Sequence, residues 1–411
     1  MSLSPGDLRY RNRSCCCEER LERWRPYPFW NFPYGIISSL LSRSLRQFSD
    51  RLRISHEHCD SSLSVQGMIF FGRYFLSPPS SSSWNDDSSQ WEEIAVKLVP
   101  MSFFDVRFFL ERRFESLHGI EKDLRQVSMS SVWMEYYILF QCRELLLQKK
   151  TIHVPLFLVA SYCPSQFLLH LQIPQRYRNG GDFSSGEERA EDHRRPPSSL
   201  PPHSALALED PYFLFLSERY DGNAKDWITS EVHSLQEWRS FFLQIMVGLL
   251  FLQYHVGMVH QDLHWSNILL QKIEFEEGDQ WEYFIQDERI CIPNHGCLFL
   301  LWDFGMASLY PAMIHAKEVI DLLLLQPPPN DKDDDFLPLC RDFQHLAHFP
   351  SWIPDSLRPY LHIPTEILHF CEHVRTVSYP NMLVLLISFL KRFPQEQVSD
   401  KHRILETFHL P

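Results

Sequence analysis

Apolar residues recur along this chain with two periods, and each period predicts its own kind of element. Ile94, Val96 and Leu98 alternate with other residues over 91–99 and predict a strand, with Lys97 mid-strand. Further strands are predicted from Leu63 to Leu76, from Val154 to Tyr162, from Tyr212 to Leu216 and from Leu298 to Trp302. Trp281, Tyr283 and Ile285 alternate before Ile290-Cys291-Ile292-Pro293-Asn294, a hairpin pattern. Helical spacing appears in Trp238, Phe242, Ile245, Leu249 and Leu252, after Ser234 and Glu237 set out as a capping box. It appears again over 131–148, where Met134, Ile138, Leu139, Cys142, Leu145 and Leu146 form an inward stripe. Glu135 falls on that stripe, whereas Glu144 lies with Gln141 and Gln148 on a more polar face. Ile37, Leu41, Leu45, Phe48 and Leu52 predict a helix with arginines on its other faces, and the tail from Pro364 to Pro411 reads as helices.

Between these elements lie breaks. A Ser/Pro-rich run from Ser77 to Gln90 reads as a turn, and Gln175–His203, with almost no apolar content, reads as a disordered loop. The boundaries that follow are an accessory segment over 1–60 and a strand-rich part over 61–216 with its insertion at about 175–203. A helical part over 217–411 follows, with a hairpin insertion at about 272–297. At 411 residues and 44% hydrophobic content the chain can bury a sizeable core. Its 39 basic and 52 acidic residues give a net charge of -13, which argues against general nucleic-acid binding. The most apolar stretch, 241–259, carries Gln244, Gln253 and His255 and reads as a core helix, so no membrane span is expected. Docking on a surface or partner through 37–52 is the one membrane-related expectation, against packing of that helix on the chain's own strand-rich part. The ten cysteines, with no CxxC pair and no signal-peptide pattern ahead of them, fit reduced thiols inside a cell.

Candidate chemistry concentrates in Val259-His260-Gln261-Asp262-Leu263-His264-Trp265-Ser266-Asn267 and in Leu301-Trp302-Asp303-Phe304-Gly305. A carboxylate, an amide five residues on and a second carboxylate after another strand can hold a hydroxyl and a hard divalent metal. The spacing is that of H-R-D-L-x-x-x-N followed by D-F-G, and the chain resembles a protein kinase. Ala95-Val96-Lys97 resembles the V-A-I-K strand, and the W-x-Y…I-P-N…W-D-F-G arrangement resembles serine/threonine kinases of large nucleocytoplasmic DNA viruses.

The resemblance implies an α+β, bilobal kinase-like fold that uses ATP and Mg²⁺ on a protein substrate in the cytoplasm, or in host cytoplasm or virion if viral. Asp262 would align the attacking hydroxyl, and Asn267 and Asp303 would hold the metal. Lys97, held by Glu135, would take the α- and β-phosphates, with Glu111, Glu115 and Glu121 as rival partners. Gly67 and Ile69 align with the end of the phosphate loop, whose two earlier glycines become Ser62 and Ser64. Ser217-Glu218-Arg219-Tyr220 would be the hinge, with adenine against its backbone; Asp226 would touch ribose or serve its own helix start. Asp342 would brace the catalytic loop.

Three departures stand out: His264 at a common lysine position, Gln261 for the arginine that answers a phosphorylated activation loop, and no A-P-E after Gly305. They leave open the same fold acting on a small molecule, or a pseudokinase scaffold that binds partners.

Overall fold

The computed structural model describes residues 16–27, 36–37, 51–54, 68–77, 90–112, 130–163, 211–286, 288–309, 336, 338–341, 343, 362–377, 382–394 and 403–410. In chain order the elements open with α1 (Cys17–Trp24), β1 (Ile36–Ile37), β2 (Leu52–Ile54), β3 (Met68–Phe75) and β4 (Trp91–Pro100). Next come α2 (Phe103–Arg112), α3 (Ser131–Leu147), β5 (Phe157–Cys163), β6 (Tyr212–Glu218), β7 (Gly222–Asn223) and α4 (Ala224–Ser230). Then follow α5 (Leu235–Val256), β8 (Met258–Val259), β9 (Ile268–Lys272), β10 (Asp279–Ile285), β11 (Glu288–Pro293) and β12 (Cys297–Leu301). The last are β13 (Ser308–Leu309), α6 (Thr365–Thr376), α7 (Met382–Arg392) and β14 (Arg403–Leu410). Two compact bodies result, one from 1–26, 120–157 and 220–411, the other from 27–119 and 158–219.

The second body is built on a six-stranded sheet of order β1-β5-β6-β4-β3-β2. β3, β4 and β6 pair antiparallel, so that Ile69 faces Lys97 across the ladder and Lys97 faces Phe215. One side of the sheet is core, with Phe70, Tyr74, Ile94, Val96, Leu98, Leu214 and Leu216 all buried. Alternation along β3 and β4 is enough to put these side chains on the same side.

The first body is organised by α5. Its capping box is present in full, Ser234 Oγ accepting from Glu237 N–H and Glu237 Oε2 from Ser234 N–H at 2.7 Å. Gly257 ends the helix at φ 68°, a conformation that glycine adopts without strain. The predicted stripe is buried throughout, and Phe242 stacks on Phe389 of α7 at 5.8 Å. β9 and β12 pair antiparallel, and the stretch between them folds into a second hairpin, β10–β11. β14 joins that second hairpin in parallel with β10.

Two elements differ from the sequence pattern. Ile37 lies in β1 and Leu52 in β2, so the helix expected over 37–52 is not present at either end; residues 38–50 lie outside those described. β1 pairs with β5 and β2 with β3, and sheet partners far along the chain outweigh a local helical period. The first 60 residues contribute to both bodies, α1 to one and the two short strands to the other. In the tail, α6 and α7 are helices, but 403–410 is a strand because β10 offers it an open edge.

Candidate functional site

The loop from β8 to β9 is anchored at both ends on the strand that leads to Asp303. At its start His260 is fully buried, with Nε2 2.9 Å from the Trp302 carbonyl and its ring 5.3 Å from Phe304. A carbonyl can only accept, so Nε2 carries the proton and His260 serves as a structural donor. At its end the Asn267 carbonyl accepts from Trp302 N–H at 2.9 Å, continuing the β9–β12 ladder by one step. Asn267 and the residue before Asp303 are therefore joined through backbone, which needs no particular side chain to hold.

Within the loop, Asn267 Nδ2 donates to the Asp262 carbonyl at 2.9 Å and lies 3.4 Å from Asp262 Oδ2. Asn267 is buried, whereas the Asp262 side chain is 47% exposed, leaving its carboxylate within reach of a substrate. With its nitrogen committed, Asn267 has Oδ1 left to offer a metal ion, and Asp303 has a carboxylate. That all-oxygen set fits a magnesium ion rather than a softer metal. Asp303 sits at φ 60° and Gln261 at φ 63°, a left-handed backbone that few residues without glycine's freedom adopt. Such strain at Asp303 itself and at Gln261, next to Asp262, is the kind that functional sites retain.

His264 Nδ1 accepts from Ser266 N–H at 3.2 Å, which leaves the proton on Nε2, 3.9 Å from Asp262 Oδ2. Gln261 Nε2 donates to Ser308 Oγ at 2.8 Å, and β13 pairs with β8. The amide at the usual arginine position is thus tied to the segment after Gly305 by a neutral hydrogen bond. Ser308 escaped the sequence reading because nothing local marks a contact 47 residues away.

The remaining candidates divide between the bodies. Lys97, Ile69 and Glu218 share the sheet of the second body, Lys97 and Glu218 each 2% exposed. Glu135 is 1% exposed on α3 in the first body, and α3 packs against the turn Phe304–Met306 that follows Asp303. Lys97 and Glu135 thus belong to different bodies. Asp226 is taken up in a capping box with Asn223, its Oδ2 accepting from Asn223 N–H at 2.9 Å. Gly67, Ser62, Ser64 and the Asp342 side chain lie outside the described residues, as do Glu115 and Glu121.

No protein-family model matches the chain. Over 101 residues it is 27% identical to the serine/threonine-protein kinase haspin of Mus musculus, covering 25% of this chain and 13% of that protein. Over 126 residues it is 25% identical to the serine/threonine-protein kinase haspin homolog of Arabidopsis thaliana, covering 30% of this chain and 20% of that one. The matched parts span a fifth or less of these relatives' lengths. Both relatives are from an animal and a plant, and neither supports the narrower resemblance to viral kinases. Over that part of its length, the chain is similar to members of the protein kinase superfamily.

Proposed function

We propose that the chain is an ATP-dependent serine/threonine protein kinase of bilobal fold. The observation that carries the reading is the lock of Asp262 to Asn267 and of Asn267 to Trp302, which ties an exposed carboxylate to the strand ending at Asp303. The partial similarity to haspin kinases supports the same class.

Phosphoryl transfer asks the protein mainly to position groups and neutralise charge. Asp262 accepts a hydrogen bond from the attacking serine or threonine hydroxyl and aligns it; Asn267 keeps the carboxylate in place. Asn267 Oδ1 and the Asp303 carboxylate would hold Mg²⁺, which would supply charge neutralisation at the phosphates. Lys97 takes the α- and β-phosphates. Ile69 would lie beside the nucleotide, and the backbone at Glu218 along the adenine.

The test is transfer of labelled γ-phosphate from ATP to a mixed protein panel, with and without Mg²⁺, followed by phosphoamino-acid analysis. Magnesium-dependent label on serine or threonine is the expected result. Label found only on small molecules would move the reading to a small-molecule kinase. No label, with no rise in melting temperature on adding Mg-ATP, would favour a partner-binding scaffold.

A further inference from the structure

Helix α1 presents Cys17, Arg20, Leu21 and Trp24 at i, i+3, i+4 and i+7, and all four are buried. A guanidinium inside such a stripe is costly unless its donors are used. Arg20, 0% exposed, spends them on backbone. Nη1 donates to the Ile152 carbonyl at 2.9 Å, and Nη1 and Nη2 each reach the Val154 carbonyl at 3.3 Å. Both carbonyls belong to the irregular buried stretch 151–156 between α3 and β5, which has no helix or ladder bonds of its own to satisfy them. Nη2 also lies 3.4 Å from the Tyr220 hydroxyl, which accepts from Leu156 N–H at 2.9 Å. The helix is held from its N-terminal end too, because Cys17 N–H donates to Glu406 Oε2 of β14 at 2.8 Å.

Tyr220 is the first residue of its body after the chain leaves β6. Arg219, the last residue of the other body, is tied to Glu93 by a 3.3 Å ion pair and lies over the Phe71 ring at 4.8 Å. Each residue of the crossing peptide is therefore anchored within its own body. We propose that Arg20 is a positioning residue for nucleotide binding. Acting through Tyr220, it fixes the backbone that follows Glu218, where the kinase reading puts adenine, without touching the nucleotide. The inference rests on that reading.

An anchor of this kind changes the affinity for ATP more than the rate of the chemical step. The full chain and its Arg20→Lys, Arg20→Met and Tyr220→Phe variants would be compared in two measurements: hydrogen exchange of peptides covering 216–222, and steady-state kinetics with ATP. Lysine keeps the charge but loses the fork of donors. Arg20→Lys is expected to speed exchange over 216–222 and raise KM for ATP by about 5-fold, with kcat changed less than about 2-fold. Tyr220→Phe is expected to speed the same exchange and raise KM, and the double variant to be no worse than the stronger single, since the two act as one unit. Should Arg20→Met fail to fold, the lysine and phenylalanine variants still decide. Lower melting temperatures with KM and local exchange unmoved, in an active protein, would make Arg20 merely structural and overturn this inference alone. A wild type that binds no Mg-ATP would overturn the kinase reading and the nucleotide role together.

Discussion

Two hairpins are nested in the first body, and they are held in different ways. The outer one, β9–β12, is flanked by Asn267 on one side and Asp303 on the other, with Asp262 on the loop that leads into it. It is held by ladder bonds and by the two links to Trp302. The inner one, β10–β11, carries no candidate site residue and, besides its own ladder and that with β14, is held by side-chain contacts. Asp279 takes a bidentate pair from Arg403 of β14, both contacts at 2.7 Å. Glu282 pairs with Arg289, and Ser240 of α5 donates to the Pro293 carbonyl at 2.6 Å. His153 stacks on Tyr283 and meets Trp281 edge-on. The candidate site residues cluster at the outer hairpin, and the buried ion pairs and ring contacts at the inner one, so substitutions in the two hairpins should separate activity from stability.

The largest separation is expected in the outer hairpin. Asp303→Asn removes the carboxylate yet suits the left-handed backbone, because asparagine tolerates that region. Phosphate transfer should fall by about 10³-fold with little change in melting temperature. A large loss of stability instead would mean that Asp303 supports the fold rather than the chemistry.

The inner hairpin should respond to acid. Burial, helped by the nearby Arg20 charge and only partly offset by the Phe299 backbone, lowers the His153 pKa to about 3. An unfolded histidine titrates near 6.5, so the unfolded chain binds the extra proton between these values. Stability attributable to His153 is full above about pH 6.5 and falls by about 1.4 kcal/mol per pH unit as the pH drops toward 3. Glu237 is held at about 2, first by its hydrogen bond to His233, against burial, and with help from Ser234. Its contribution begins to fade only below about pH 4.5. His255, lowered to about 4 by burial and by the Lys150 charge, adds to the same slope, so denaturant unfolding at pH 7, 6, 5.5 and 5 should show a shallower slope in His153→Phe than in wild type. A variant with the same slope would mean another group takes up the proton.

Asp279→Asn comes next. It removes the bidentate pair, leaves Arg403 only its 3.5 Å contact with the exposed Glu276, and should cost about 2 kcal/mol of stability. Transfer per folded molecule should be unchanged. A parallel loss of transfer would show that the two hairpins are coupled after all. Ser240→Ala is the smallest, about 1 kcal/mol for one buried hydroxyl, again without effect on transfer.

The same contrast explains what could be read in advance. Asp262, Asn267 and Asp303 stood out because their chemistry lies in short stretches with fixed spacing, and α5 because its capping box is local. The burial of Glu135 on α3 was legible from its place among apolar residues. Arg20 and Ser308 were not, since their partners lie 132 to 200 and 47 residues away. Ile37, Leu52 and the 403–410 strand were misread for the same reason. A short segment takes the conformation of the edge it finds, and β5, β3 and β10 are distant in sequence.

The most direct measurement compares Mg-dependent γ-phosphate transfer by wild type and Asp262→Asn at equal concentrations of folded protein. The Asn267 link to the Asp262 backbone carbonyl survives the substitution, so the loop should keep its shape while losing its carboxylate. Magnesium-dependent transfer by wild type and a fall of about 10²-fold or more in the variant, with the melting temperature unchanged, is the predicted result. Equal transfer by both proteins would contradict the assignment of Asp262 and, with it, the account of this loop as a kinase active site.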